Sequence, residues 1–231
     1  FVTYATSYSH TLANTQGTRT VYVQFKDAAG NMASAVNDTI VLDSVAPGVP
    51  SLASPANGSS TNDTTPTLDW SDSSGATSYQ VMYDDNSGFS SPDIWTTSNS
   101  YYTLLSSAAG TYYWKVRAGD ESGNWSALSS AFSFTIDTTA PTGNAISING
   151  GTSYTSSTSV TLTLASTGAS LMRFSNDGSS DGSWVTYATS HSHTLDNTQG
   201  TQPVYVQFSD AAVNMASAVS DTIVFDKTAP G

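Results

Sequence analysis

The 231-residue chain contains no cysteine and only six lysines and arginines, set against eighteen acidic residues. Without cysteine, neither disulfides nor thiolate metal sites can form. With so few basic side chains, the chain lacks the clustered positive charge that binds nucleic acid or anionic membrane surfaces. It also lacks a run of about 18 apolar residues, so no membrane span is expected in this segment. These absences leave an acidic chain with a formal net charge of −12.

Helix-favouring charged residues are also scarce, because Glu121 is the only glutamate among the eighteen acids. Glu, Lys and Arg commonly populate helix surfaces, whereas Asp favours turns. Apolar residues alternate with polar ones at Val21–Phe25 and again at Val160–Leu164. This period of two predicts β-strands, and clusters of Asn, Asp, Gly and Ser divide the strands. Further core strands are predicted at Thr67–Trp70, Ser78–Tyr83, Tyr112–Ala118 and Val204–Phe208.

One long segment occurs twice. Residues 1–48 align without a gap to residues 184–231, and 37 of the 48 positions are identical. The second copy follows a further stretch, near 140–183, that has no counterpart before the first. A different unit lies between them, and the joints read DSVAPG, DTTAPT and DKTAPG at Asp43, Asp137 and Asp226. The pattern predicts an alternating array of beads, of which this chain is expected to be a fragment.

The middle unit resembles a bacterial fibronectin type III domain. The resemblance rests on four segments: TPTLDW (65–70), ATSYQVMY (76–83), GTYYWKVRAGDESGNWS (110–126) and AFSFTID (131–137). It implies that these segments are strands B, C, F and G, with Trp70 and Trp114 in the core. It also makes Tyr112 the candidate for the tyrosine corner of that fold class.

The repeated unit resembles bacterial immunoglobulin-like repeats, through SVTLTL (159–164), LMRFSNDG (171–178), VYVQFSDAA (204–212) and DTIVFDKTAP (221–230). Together the resemblances imply an all-β fold of tandem antiparallel β-sandwiches. Residues 1–46 would be the carboxyl-terminal half of an immunoglobulin-like repeat, 47–139 a fibronectin type III-like domain, and 140–231 a complete repeat.

Catalytic motifs do not stand out in the sequence. It has no cysteine nucleophile, no G-x-S-x-G elbow, no phosphate-binding G-x-x-x-x-G-K-[ST] loop and no H-E-x-x-H helix. Most acids fall in predicted turns, where they stay solvated rather than forming a catalytic pair. We therefore expect no enzymatic activity from this chain and no catalytic or cofactor-binding residues.

Two histidines, His191 and His193, lie two positions apart and would share one face of a strand. They could begin a metal site, but the first copy has Tyr8 and His10 at the same positions. With no third ligand evident, the favoured interpretation is a histidine pair on an exposed strand.

Six aspartates are candidate calcium ligands. Asp27, Asp120 and Asp210 open the hairpins DAAGN, DESGN and DAAVN, while Asp43, Asp137 and Asp226 close the successive units. The resemblance to immunoglobulin-like arrays that bind calcium at their joints makes these residues candidates for a structural ion, which takes six to eight oxygens. The alternative is turn formation by Asp. Where Val213 replaces Gly30, the neighbouring Asn is expected to adopt the left-handed conformation instead.

Aromatic residues of the middle unit suggest a second type of ligand. Trp95, Tyr101, Tyr113 and Trp125 are candidates for stacking on sugar rings, with Trp95, Tyr101 and Trp125 expected in or near loops. The alternative is that these rings fill or cover the sandwich core.

The overall expectation is a non-enzymatic spacer or stalk in a large secreted or surface-layer bacterial protein. Its partners would be the neighbouring repeats of the same chain. The alternative is a carbohydrate-binding or adhesive accessory module of a secreted hydrolase or adhesin, which would contact polysaccharide or other surface proteins. Either function implies an extracellular or cell-surface location.

Overall fold

The first copy of the repeat forms a two-stranded antiparallel sheet in the computed structural model, which describes residues 1–179 and 182–229. Strand β1 is Gly17–Val23 and strand β2 is Val36–Leu42. Gly17 lies opposite Leu42 and Val23 opposite Val36, so the two strands pair along their full length. An isolated bridge between Lys26 and Met32 continues the pairing toward the connecting hairpin.

The middle of the chain folds into two sheets that face each other. Its eight strands are β3 (Leu52–Ser54), β4 (Ser59–Thr61), β5 (Thr67–Trp70), β6 (Ser78–Asp84), β7 (Asp93–Thr97), β8 (Tyr101–Thr103), β9 (Gly110–Gly119) and β10 (Phe132–Ile136). One sheet has the order β3-β5-β8, and the other has the order β4-β10-β9-β6-β7. The strands pair antiparallel except for β4 and β10, which run parallel.

Aromatic residues form much of the core between these two sheets. Trp70 from β5 contacts Tyr79 from β6 at 5.6 Å and Trp114 from β9 at 6.3 Å between ring centroids. The hydroxyl of Tyr112 donates to the carbonyl of Ala108 at 3.0 Å. Such a bond from the start of strand F to the preceding backbone is the tyrosine corner, as predicted.

The last part of the chain forms a second pair of facing sheets. Its strands are β11 (Thr142–Ile148), β12 (Tyr154–Thr155), β13 (Ser159–Thr167), β14 (Leu171–Ser175), β15 (Val185–Thr186), β16 (Ser190–Thr194), β17 (Gly200–Ser209) and β18 (Val219–Phe225), with a 3-10 turn at Asn149–Gly151 after β11. The sheet orders are β11-β13-β16 and β12-β18-β17-β14-β15. This arrangement repeats that of the middle sandwich, with β12 parallel to β18.

Alternating residues from these sheets fill the second core. The fully buried side chains include Leu162 from β13, Met172 from β14, Phe208 from β17 and Phe225 from β18. Buried positions alternate with more exposed ones along β13 and β17, as the period of two predicts, until β17 ends in the buried pair Phe208 and Ser209.

The fold is all-β, as the sequence predicted, and each predicted core strand overlaps a strand of the structure. Across residues 1–179 and 182–229, no helix has the length and apolar character needed to cross a membrane.

Candidate functional site at the joints between sandwiches

A five-residue hairpin with Asp first and Asn last recurs three times with the same hydrogen bonds. In each, one carboxylate oxygen accepts the Asn backbone N–H at 2.8 Å, and the other accepts the Asn side-chain amide at 2.8–2.9 Å. The pairs are Asp27 with Asn31, Asp120 with Asn124, and Asp210 with Asn214. The carboxylate therefore fixes the rotamer of the amide, because both its oxygens hold the same residue.

At two of these hairpins the same amide nitrogen also bonds to the preceding linker. The Asn124 amide donates to the carbonyl of Asp43 at 3.2 Å, and the Asn214 amide donates to the carbonyl of Asp137 at 2.7 Å. Asp43 directly follows β2, the last strand before the first joint, and Asp137 directly follows β10, the last strand before the second joint. A single amide thus links the hairpin of one sandwich to the closing residue of the unit before it.

The linker is shaped by its own aspartate. The Asp43 carboxylate accepts the N–H of Val45 at 3.0 Å, and the Asp137 carboxylate accepts that of Thr139 at 2.9 Å. Pro47 and Pro141, which end the two D-x-x-A-P segments, are both buried. One short-range hydrogen bond and a fixed proline φ therefore restrict the backbone at each joint.

The third linker begins in the same way. The Asp226 carboxylate accepts the N–H of Thr228 at 2.8 Å. Pro230 and Gly231, which complete the predicted D-K-T-A-P-G joint, lie outside the described residues.

Hydrogen bonding in the hairpins favours the ionised carboxylates. The Asn31 side chain is the main group that lowers the pKa of Asp27, and the Asn124 side chain is the main group that lowers the pKa of Asp120. Backbone N–H groups of the same hairpins act in the same direction. Both carboxylates therefore stay charged acceptors to a lower pH than a free aspartate would.

The expectation that Asn takes the left-handed backbone conformation in the valine-containing hairpin is wrong. Val213 itself has φ = 69°, at the position where Gly30 has φ = 96° and Gly123 has φ = 87°. Asn214 keeps its place because its backbone and side chain both bond to Asp210. The hairpin bonds thus hold a β-branched residue in a conformation that is sterically unfavourable.

The structure places the six candidate calcium ligands in hydrogen-bonded turns. It brings Asp43 to the Asp120 hairpin and Asp137 to the Asp210 hairpin, so each of these closing aspartates lies next to the following unit. Within residues 1–179 and 182–229, no three His, Asp or Glu side chains gather closely enough to hold a metal ion. Calcium binding at the joints stays a prediction, in which backbone carbonyls and water would supply the other oxygens.

The two histidines do not lie on an exposed strand face. His191 and His193 are half-buried on β16, and both rings contact Phe174 of the facing sheet, with centroids 4.4 and 5.7 Å away. His193 Nε2 also lies 2.7 Å from the Asn176 side-chain oxygen. The strand turns this face inward, so the pair packs against the core.

Burial lowers the pKa of His193, and the neighbouring His191 adds to the effect. Asp196 opposes it. The neutral ring is therefore favoured where it packs against Phe174.

The four candidate sugar-stacking aromatics occupy different surroundings. Trp95 lies in β7, not a loop, and stacks on Tyr102 at 4.7 Å, while Tyr101 lies in β8 and is 50% exposed. Tyr113 is half-buried in β9. Trp125 packs over Gly119, where a Cβ would approach its ring to 2.9 Å, and the Arg117 guanidinium lies 4.8 Å from the ring centroid. Trp95 and Trp125 thus contribute to packing, and Tyr101 is the most exposed of the set.

Sequence reasoning missed the two asparagines that connect the sandwiches. Asn214 was considered only for its backbone conformation, and Asn124 was given no role at the joint. The signal was present, because Asp and Asn keep their spacing of four in the middle unit and in the repeat although the residues between them differ. A spacing shared by two otherwise different units points to a role at a common structural position.

Comparison with solved structures identifies the fold. The fibronectin(III)-like modules of Clostridium thermocellum CbhA match with a TM-score of 0.51 and 16% identity, over 76% of this chain and 93% of that one. The FN1-FN3 domains of chicken CNTN1 match with a TM-score of 0.54 and 14% identity, over 90% of this chain and 75% of that one. No protein-family model and no curated protein matches the sequence. At these identities the likeness establishes a fibronectin type III-like, all-β fold.

Proposed function

We propose that the chain is a non-enzymatic spacer segment of a large extracellular bacterial protein, in which stiff joints hold successive β-sandwiches in a fixed relation. The observation that carries the proposal is the repeated bond from Asn124 to Asp43 and from Asn214 to Asp137. At both joints an Asn side-chain amide donates to the backbone carbonyl of the Asp that closes the preceding unit. At both, the carboxylate of the hairpin Asp holds that amide in place. A spacer needs such repetition because each joint has to transmit orientation to the next unit.

The energetics of the joint agree with this function. One neutral hydrogen bond contributes about 0.5–1.5 kcal/mol, which alone would leave a joint flexible. Here the amide is already oriented by a charged carboxylate, and a buried proline restricts the linker. Little conformational entropy is then lost when the cross-joint bond forms.

The acidic composition supports the proposed location. Eighteen acids against six basic residues give neighbouring molecules the same sign of charge. Mutual repulsion would keep a crowded layer of such proteins from associating nonspecifically. In this proposal the chain is part of a tandem array of bacterial immunoglobulin-like repeats, is secreted, and has a mechanical role.

A spin-label experiment tests the joints directly. Because the chain has no cysteine, nitroxides attach only at introduced sites: Thr96→Cys with Thr222→Cys across the second joint, and Thr39→Cys with Thr96→Cys across the first. All three positions are exposed. We expect narrow distance distributions by pulsed electron resonance at both joints.

The matched variants are Asn214→Ala and Asn124→Ala. The first should broaden only the 96–222 distribution and the second only the 39–96 distribution, so each serves as the control for the other. Broad distributions in the unsubstituted chain, or no response to either change, would remove the basis for a stiff spacer.

Calcium is a separate part of the proposal. If calcium binds the joint aspartates only in the folded state, the midpoint of thermal unfolding should be higher in millimolar calcium than in excess chelator. The free energy of unfolding should rise by about 2.7 kcal/mol at a hundredfold excess of calcium over Kd. An unchanged midpoint would assign these aspartates to turn formation alone.

The alternative function is carbohydrate binding or adhesion through the middle sandwich. Tyr101, half exposed on β8, is the residue that favours it most. A glycan-array screen of the full chain and of Tyr101→Ala distinguishes the two functions, because a spacer binds no glycan above background in either form.

A further inference from the structure

The first copy of the repeat presents an apolar face that the second copy buries. Val23 and Phe25 are 45% and 48% exposed. Their counterparts in the second copy, Val206 and Phe208, are both 0% exposed. Since the side chains are identical at these positions, the difference in exposure between the two copies comes from what packs on the face and not from its residues.

The second copy shows what covers this face. Leu162 from β13 and Met172 from β14 are fully buried in the same core cluster as Val206 and Phe208. β14 also pairs antiparallel with β17, with Met172 opposite Phe208 and Phe174 opposite Val206. The covering segment therefore supplies both an apolar layer and the strand that pairs with β17.

The receiving surface of the first copy is already arranged for the same partner. β1 pairs with β2 in the register of β17 with β18, since Val23 lies opposite Val36 as Val206 lies opposite Val219. A cavity of about 1200 Å³ opens on this face, lined in part by Tyr4, Val23, Phe25 and Met32. The apolar side chains are thus exposed on a strand pair that already has the register of the second copy.

A polar anchor accompanies the apolar face. In the second copy one oxygen of Asp221 accepts the N–H of Thr222, and the other accepts the backbone N–H of Ile148, on the covering segment, at 2.9 Å. Asp38 stands at the equivalent position and holds the N–H of Thr39 in the same way at 2.8 Å. The second oxygen of Asp38 is the acceptor that an incoming strand would use.

We propose that this face is a docking surface for the amino-terminal half of a repeat of the same type, a segment with the sequence pattern of residues 140–183. The docked segment would place the equivalent of β14 antiparallel to residues 22–26, with the equivalent of Met172 opposite Phe25 and that of Phe174 opposite Val23. A second, alternating strand equivalent to β13 would cover the apolar side chains, and the equivalent of Ile148 would donate to Asp38.

The test joins a copy of residues 140–183 directly ahead of Phe1 in the otherwise unchanged chain. We expect amide exchange across residues 17–42 to slow by at least about tenfold, because local opening becomes costly once a face is packed. Binding of a hydrophobic dye to the exposed face should fall at the same time. Exchange in residues 200–225 should stay the same and reports that the second sandwich is folded.

Two matched controls make the result specific. The first carries Leu162→Asp and Met172→Asp in the added copy only, which keeps its length but removes its apolar side chains. The second carries Asp38→Ala in the receiving face and should lower the gained protection without abolishing it. Equal protection with the intact and the doubly substituted extension would overturn the proposal.

Self-association is the competing outcome. If the chain without the extension is a dimer by analytical ultracentrifugation, and Phe25→Asp makes it monomeric, then a second copy occupies the face and the proposal is wrong. A monomer whose exchange does not change upon extension would overturn it equally.

Discussion

Residues 1–48 and 184–231 are nearly the same sequence in two different environments. In both copies two long strands pair in the same register, and an Asp–Asn pair closes the turn that connects them. Only the second copy lies under another sheet, so Phe208 is fully buried whereas Phe25 is half exposed. The comparison separates structure that adjacent residues specify from packing that requires distant ones.

The largest difference is expected for the central phenylalanine. Phe208→Ala removes a fully buried ring and should destabilise the second sandwich by about 3–5 kcal/mol, whereas Phe25→Ala should cost much less because its ring is already in water. Segment-resolved amide exchange under native conditions measures both effects. Similar losses in the two copies would mean that the face of the first copy is covered.

A smaller difference is expected for the aspartate of the hairpin. Asp210 is 6% exposed, and its removal leaves the backbone N–H of the half-buried Asn214, and one N–H of its side-chain amide, without the carboxylate acceptor. Asp210→Ala should therefore cost about 1–3 kcal/mol. Asp27→Ala should cost less, because water can replace the carboxylate at the exposed hairpin. Denaturant-dependent exchange of each hairpin provides the measurement, and a larger loss at Asp27 would contradict it.

Exchanging valine and glycine at the left-handed hairpin position should change stability in opposite directions. Val213→Gly relieves a left-handed valine at φ = 69° and should stabilise the second sandwich by about 1 kcal/mol after the entropy cost of glycine. The control is Gly123→Val, which places the same strain in the middle sandwich. Thermal unfolding should move up for the first variant and down for the second; a drop for Val213→Gly would show that valine packing outweighs the strain.

The smallest expected difference concerns pH. Because the pKa of His193 is lowered in the folded state, the unfolded chain binds its proton first as pH falls. The stabilisation is therefore complete above the ordinary pKa near 6.5 and is lost as pH falls from there through the folded pKa. His193→Gln should flatten this loss in the second sandwich, while His10→Gln, at the exposed equivalent, should leave it unchanged. Urea unfolding between pH 7 and 5 tests the pair.

The sequence was most informative where a pattern is local. The alternation at Thr67–Trp70 predicted β5 to the residue, and the resemblance to fibronectin type III domains implied the tyrosine corner at Tyr112. The sequence also indicated that Asp43 and Asp137 lie at joints, but not that Asp43 approaches the Asp120 hairpin or that Asp137 approaches the Asp210 hairpin. The residue that makes each contact was not predicted, because an asparagine in a turn has many possible partners and only the fold selects one.

Two further expectations failed for the same reason. His191 and His193 share a strand face as predicted, but strand periodicity alone does not say which face turns inward, and Phe174 comes from another sheet. Trp95 was expected near a loop, yet it lies in β7 and stacks on Tyr102 of the opposite sheet. Both outcomes depend on contacts between residues that are distant in the chain.

The sequence by itself therefore determined the strands, the hairpins and their internal Asp–Asn bonds, since these depend on backbone preferences and neighbours within a few residues. Tertiary structure decided which side chains are buried and which amide crosses a joint. Burial depends on apolar surface supplied by distant strands, so identical residues in the two copies can be fully enclosed in one and open in the other.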